Sequence, residues 1–129
     1  MRKKAAGLHS REWMTVSVHK GRAGAMATFH HCGVPTAAVY EGATYIEGAK
    51  VYATDPEAHP YRVEFLRFEA DSPMHELVVN RTHVAFMVDD LAAALEGKNV
   101  IVEPFDATDT LRVAFITDGD AVLELMENI

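Results

Sequence analysis

The feature that most constrains the fold is an internal repeat, in which each half opens on a strand carrying a histidine and closes on a strand carrying a glutamate. The phrases "TFHHCGV" and "THVAFMV" open the halves, and "YRVEFLRF" and "AVLELME" close them. The interval from His31 to Glu64 is 33 residues, and that from His83 to Glu124 is 41. The second half is therefore longer by about two helical turns, at roughly 3.6 residues per turn.

The pattern between these strands predicts the order β-α-β-β-β in the second half. "DDLAAALEGK" (89–98) predicts a short helix, because an aspartate can accept its first free N–H groups and Gly97 suits a left-handed end. "NVIVEP" predicts a strand that stops at Pro104. The first half follows the same order, with strand residues over 44–54, in which Gly48 marks a possible bulge or turn, and with its helix reduced to the irregular residues 35–43.

Composition narrows the classes of function. A chain of 129 residues that is 49% hydrophobic can bury one core. The net charge of −7 argues against a nucleic-acid groove, and no apolar run approaches the roughly 20 residues that span a membrane. A single cysteine excludes an intrachain disulfide and a cysteine-rich zinc site, and fits a cytoplasmic protein. We expect a small-molecule partner rather than nucleic acid or membrane.

The first residues differ in charge from the rest of the chain. Residues 1–26 hold six basic groups and one acidic group, without a continuous apolar stretch, so they are a poor secretory signal. We interpret them as a flexible N-terminal extension, or as the product of a start codon placed too early, with a partner-binding basic tail as the alternative. A single domain is predicted over 27–128, divided into module one (27–70), a linker (71–80) and module two (81–128).

Strand alternation predicts which side chains share a face. His83 should lie with Ala85, on the side opposite the larger apolar residues that would seat the helix. His31 should lie with Phe29 and Gly33. In both halves a small residue stands two places after the histidine, and we expect it to leave room for a ligand.

The histidines and glutamates are more informative together than singly. A lone strand histidine is more often a structural hydrogen-bonding group, and Glu64 could simply pair with Arg62. Glu124, flanked by Val, Leu, Leu and Met, is costly unless it is solvated, paired or bound to a cation. Because His31, Glu64, His83 and Glu124 occupy matching points of the repeat, we expect them to converge on one centre. Imidazole and carboxylate donors suit Zn, Ni, Co, Mn or Fe.

The sequence resembles the vicinal oxygen chelate superfamily, which includes glyoxalase I, methylmalonyl-CoA epimerase, extradiol dioxygenases and the fosfomycin- and bleomycin-resistance proteins. The resemblance rests on "HHCGV", "THVAFMVDDLAAAL" and "AVLELME", with "YRVEFLRFE" weaker, and covers roughly 27–128. It implies an α+β fold of two paired βαβββ modules, the first helix reduced, forming a curved mixed sheet around a cleft. It also implies a homodimer.

The resemblance assigns the divalent metal to four ligands, His31, Glu64, His83 and Glu124, with His31 preferred over His30 because it directly precedes "xGV". The implied activity is that of a glyoxalase-like, metal-dependent lyase or isomerase. Its substrate would be a small α-oxygenated carbonyl compound that chelates the metal through two oxygens. Glu124 by preference, or Glu64, would move a proton as the catalytic base.

Two alternatives stay open. An Fe(II)-dependent extradiol-type dioxygenase would need only His31, His83 and Glu124, with Glu64 structural. A metal-free protein that binds a small molecule or drug would use the cleft alone. The apolar side chains proposed to line that cleft are Met87, Met126, Phe29 and Phe68.

Overall fold

Two histidine-bearing strands lie side by side at the centre of an eight-stranded sheet in the computed structural model, which describes residues 13–16 and 26–129. The strands are β1 (Ala27–Pro35), β2 (Thr44–Ile46), β3 (Val51–Ala53), β4 (Val63–Phe68), β5 (His83–Val88), β6 (Asn99–Thr108), β7 (Leu111–Asp118) and β8 (Ala121–Asn128). The helices are α1 (Glu76–Asn80) and α2 (Leu91–Leu95), and 3₁₀ turns occupy Glu47–Ala49 and Pro56–Ala58.

The strand order shows the repeat directly. The sheet runs β2-β3-β4-β1-β5-β8-β7-β6, so each half places its first strand at the centre, its last strand next and its middle strands outside. The central pair β1–β5 is antiparallel, whereas β1–β4 and β5–β8 are parallel. The structure confirms the predicted α+β class, with two βαβββ-type modules in one curved mixed sheet.

The two modules differ in what covers the outer face of the sheet. In the second, the Asp90 side chain accepts a backbone N–H of the first turn of α2, and Leu91 is buried against the sheet. In the first, residues 36–43 contain no helix, and the ring of Tyr40 stacks on Phe65 with centroids 4.5 Å apart. The prediction of a reduced first helix is confirmed.

The second module has an apolar cluster on each face of the sheet. On the helix side the buried members are Val88, Leu91, Ala114, Ile116 and Leu125. On the opposite, inner side they are Val78, Ala85, Val113, Phe115, Val122 and Met126. Along β8, Val122 and Met126 lie on the inner side and Leu125 on the helix side, and this alternation leaves Glu124 on the inner side.

One predicted strand limit is wrong. Strand β6 continues through Pro104, because β6 is the edge strand and its pairing with β7 is irregular between Val102 and Phe105, where a missing N–H is tolerated. Residues 44–54 form two short strands, separated at Gly48, where the sequence allowed a turn. The 3₁₀ turn between them ends at Lys50, whose φ of 47° reverses the chain.

Helix α1 lies in the predicted linker and places Val78 in the inner cluster.

No helix in the described ranges is both long and apolar enough to cross a membrane. Of the predicted extension over 1–26, residues 1–12 and 17–25 lie outside the part of the chain that the structure describes.

Candidate metal centre

Four side chains from the two modules converge on the inner side of the sheet. One donor atom from each of His31, Glu64, His83 and Glu124 lies within 4.8 Å of the others. Nε2 of His31 is 3.2 Å from Oε1 of Glu64 and 3.4 Å from Oε1 of Glu124, and Nε2 of His83 is 3.1 Å from that same oxygen. The structure thus brings together all four residues predicted as ligands, and a single chain supplies them.

Strand register explains this convergence. In the parallel pair β1–β4, Glu64 lies beside Gly33, and in the parallel pair β5–β8, Glu124 lies beside Ala85. In both modules the glutamate is therefore beside the residue two places after the histidine, on the face that the histidine shares. The antiparallel central pair then sets the two modules head to tail, so both donor pairs point at one centre.

The expectation that the small residues leave room for a ligand is wrong at Gly33. Gly33 lies opposite His83, and a Cβ at this position would stand 2.2 Å from Cε1 and 2.4 Å from Nε2 of that ring. The space above Gly33 is therefore filled by an imidazole. The edge of the His83 ring also meets Phe115, with centroids 5.1 Å apart and planes at 89°. Packing against Gly33 and Phe115 thus fixes the plane of this ring, together with the 3.1 Å contact between its Nε2 and Oε1 of Glu124.

The expectation that Phe29 shares a face with His31 is also wrong. The β1–β5 register shifts between these residues, so that Phe29 lies opposite Phe86 while His31 lies opposite Ala85. Phe86 and Ala85 are neighbours on a regular strand and point to opposite faces, so Phe29 and His31 do as well. The Phe29 ring contacts Phe86 on the outer side, with centroids 6.3 Å apart.

Burial and charge oppose each other at the centre. The side chains of His31 and His83 are 3% and 1% exposed, whereas Glu124 is 11% and Glu64 16% exposed. Burial disfavours the charged form of His31, but Glu124 and Glu64 outweigh it and raise the pKa of His31 to about 9. Burial likewise opposes ionisation of Glu124, yet the neighbouring imidazoles of His31 and His83 lower its pKa to about 2. The centre therefore favours positive charge between two carboxylates.

The geometry fits a divalent cation. Nε2 of His31 and Nδ1 of His83 are buried without a hydrogen bond of acceptable geometry, although carboxylate oxygens stand near the first. Four ligands arranged tetrahedrally about 2.1 Å from an ion lie about 3.4 Å from one another. Three of the six separations, at 3.1, 3.2 and 3.4 Å, are close to that value, and all six are within 4.8 Å. These four residues could hold Zn²⁺ or a neighbouring transition metal.

A small apolar cleft with a volume of about 50 Å³ adjoins the centre. Its charged or titratable lining consists of Glu64, His83 and Glu124, and no lysine or arginine lines it among the described residues. The larger apolar side chains around it are Leu66, Phe68, Met74, Phe105 and Phe115. Of the four residues predicted to line the cleft, Phe68 does so, Phe29 lies on the other face, and Met87 and Met126 pack in the inner cluster.

Comparison with known proteins supports the fold. No family model matches the chain, and no curated protein matches it. The crystal structure of hypothetical protein BH1468 from Bacillus halodurans C-125 is similar, with a TM-score of 0.59 and 16% sequence identity over 78% of this chain and 94% of that one. The fold and site together define a curved mixed-sheet protein with a candidate divalent-metal centre. This architecture is compatible with a glyoxalase-like fold.

Proposed function

We propose that this protein is a glyoxalase-like, metal-dependent lyase or isomerase that acts on a small α-oxygenated carbonyl compound. The observation that carries the proposal is the convergence of His31, Glu64, His83 and Glu124 beside an apolar cleft. Imidazole and carboxylate donors at this spacing are the ligand types that divalent transition metals take. A divalent ion held there would supply Lewis acidity to two neighbouring oxygens of a substrate.

The two glutamates are suited to different tasks. Glu124 is near both histidines and its pKa is lowered to about 2, which makes it a firm anion and a weak base. Glu64 contacts only one of these histidines, is more exposed and faces the cleft. We therefore assign proton transfer at the substrate carbon to Glu64. Glu124 would remain ionised and balance the positive charge of the bound cation. The sequence alone had favoured Glu124 as the base.

The cleft suggests the chemical class of the substrate. Aromatic and aliphatic side chains such as Phe68, Phe105 and Met74 favour an uncharged, apolar body. A phosphate or carboxylate would find no lysine or arginine among the described lining residues. An α-hydroxyketone or α-ketoaldehyde with an aromatic or branched aliphatic substituent fits these constraints better than an anionic thiol conjugate.

A second candidate is favoured by one observation. Oε1 of Glu124 lies within 3.4 Å of Nε2 of both histidines, so His31, His83 and Glu124 alone form a compact triad. Two histidines and one carboxylate with open positions are the ligand set of non-haem Fe(II) oxygenases. In that case Glu64 would be dispensable for metal binding.

The test begins with metal content. Purified protein is exposed to Zn²⁺, Mn²⁺, Co²⁺, Ni²⁺ or Fe²⁺, desalted and analysed for bound metal, with His83→Ala as the matched variant. One ion per chain in the parent and loss of that ion in His83→Ala are expected; equal content in both would refute the centre. The loaded protein is then incubated in D₂O with phenyl-substituted α-hydroxyketones, and NMR follows exchange at the α-carbon.

Two further measurements separate the candidates. Oxygen uptake with catechols by the Fe²⁺-loaded protein, retained in Glu64→Gln, would favour the dioxygenase. Saturable binding of apolar ligands to a protein that takes up no metal would favour a metal-free binding protein. The family resemblance also leads us to expect a homodimer, although the four ligands of one chain need no residue from a second copy.

A further inference from the structure

The second ring nitrogen of His31 has a specific partner that the proposed mechanism does not use. Nδ1 of His31 lies 2.8 Å from Nδ1 of His30, with the two rings edge to face and their centroids 5.1 Å apart. In a hydrogen bond between two ring nitrogens, one carries the proton and the other offers its lone pair. The identity of the donor decides which nitrogen of His31 is free for a cation.

The irregularity in β1 makes this contact possible. Neighbouring side chains on a regular strand point to opposite faces, whereas the register shift between Phe29 and His31 lets two successive rings meet. Two hydrogen bonds of Arg62, one from its side chain and one to its backbone, hold the irregular segment in place. Its Nε donates to the carbonyl oxygen of His30 at 2.5 Å, and its own carbonyl oxygen accepts the N–H of Cys32 at 2.9 Å.

The direction of the hydrogen bond follows from the far side of His30. Nε2 of His30 lies 3.4 Å from Oε2 of Glu57. An ionised carboxylate can only accept, so this nitrogen carries a proton and a neutral His30 keeps its lone pair on Nδ1. His31 must then donate from Nδ1, so Nε2 is the nitrogen that faces the centre, and it can bind a cation once it has given up its own proton.

We propose that His30, supported by Glu57, is a positioning residue that fixes the tautomer of His31 and so presents Nε2 of His31 to a divalent cation. This inference rests on the proposed metal-dependent function. Partners on the distal nitrogen of a ligand histidine commonly set its tautomer and ring orientation. The second module has no counterpart, because Nδ1 of His83 is buried without a hydrogen-bond partner in the described part of the chain.

The test compares two replacements of His30 with zinc alone as the probe. His30→Asn retains an acceptor near the position of Nδ1, whereas His30→Leu removes it. In competition with a chromogenic chelator, His30→Leu should bind zinc roughly 10- to 100-fold more weakly than the parent, and His30→Asn within a few-fold of it. Circular dichroism and urea unfolding establish that each variant is folded.

A spectroscopic readout tests the tautomer independently of affinity. In ¹⁵N-labelled, zinc-loaded parent protein, the proton of the shared hydrogen bond should be bonded to Nδ1 of His31, with a scalar coupling across to Nδ1 of His30. In His30→Asn the His31 proton should persist without that coupling.

Equal zinc affinity in His30→Leu and the parent would overturn the inference while leaving the metal centre intact. The same holds for a proton found on Nδ1 of His30 instead, a result that the parent alone gives even if His30→Leu does not fold. A parent that binds no zinc would refute the proposed function, and this inference with it.

Discussion

Substitution of Gly33 by alanine should disable the centre without touching any of its four donor residues. The new Cβ would stand 2.2, 2.4 and 2.8 Å from three atoms of the His83 ring. Gly33 lies within a strand and its φ is outside the left-handed region, so the backbone itself accepts alanine. The whole effect should therefore come from the collision with the imidazole.

The size of the effect follows from these distances. To restore ordinary contact at 3.4 Å, the nearest ring atom must move by about 1.2 Å, whereas metal–ligand distances vary by only about 0.2 Å. The ring cannot retreat freely, because its other side meets Phe115. We expect zinc affinity to fall at least roughly 100-fold and the metal-free protein to lose about 1–3 kcal/mol of stability.

The assay is chelator competition for affinity and urea unfolding for stability, with Gly48→Ala as the matched control. A Cβ at Gly48 would meet only the ring of Phe105, at 3.7 Å, so this variant should bind zinc like the parent. In a His83→Ala background, Gly33→Ala should cause no loss of stability, because the ring that collides with the new Cβ is absent. The reasoning is refuted if Gly33→Ala binds zinc as tightly as the parent, or lowers stability equally in both backgrounds.

Three other predictions concern the charges at the centre. The metal-free protein should lose roughly 3 kcal/mol of stability between about pH 6.5 and pH 9, because the pKa of His31 is raised on folding and its contribution is complete only below the unfolded value. Urea unfolding should show this loss in the parent and not in His31→Gln. Zinc binding at pH 7.5 should release about one proton, since His31 must give up a proton to bind, and calorimetry in buffers of different ionisation enthalpy counts it. Glu124→Gln should weaken zinc binding more than Glu64→Gln, because Glu124 contacts two ligand histidines and Glu64 one; the reverse order in chelator competition would contradict this.

The sequence was sufficient to predict the four residues that meet because their positions follow from periodicity. A histidine early in the first strand and a glutamate in the last strand recur in both halves, and parallel pairing sets Glu64 beside Gly33 and Glu124 beside Ala85. Such register is strongly determined when one face is buried, because a slip by one residue would turn every side chain to the wrong side. For the same reason the inner and outer faces of β8 were predictable.

The errors occur where a local irregularity overrides that periodicity. The tandem "HH" gives no direct sign of a register shift, because a bulge arises from the pairing of two strands distant in sequence. Regular strand alternation, applied across this register shift, placed Phe29 on the same face as His31, which is wrong. Pro104 misled in a similar way, since a strand tolerates proline at an edge and its edge position is known only from the whole sheet.

The two halves of the centre thus share a register but hold their histidines by different means. His83 is held by packing, between the bare backbone of Gly33 and the edge of Phe115. His31 follows the register shift in β1, and its ring is held by a hydrogen bond to His30 rather than by packing against a neighbouring group. Packing fixes the plane of a ring but not the nitrogen that bears its proton, whereas a hydrogen bond on the distal nitrogen fixes both. In the proposed metal centre, departure from exact symmetry would therefore provide one ligand histidine of defined tautomer and one of defined position.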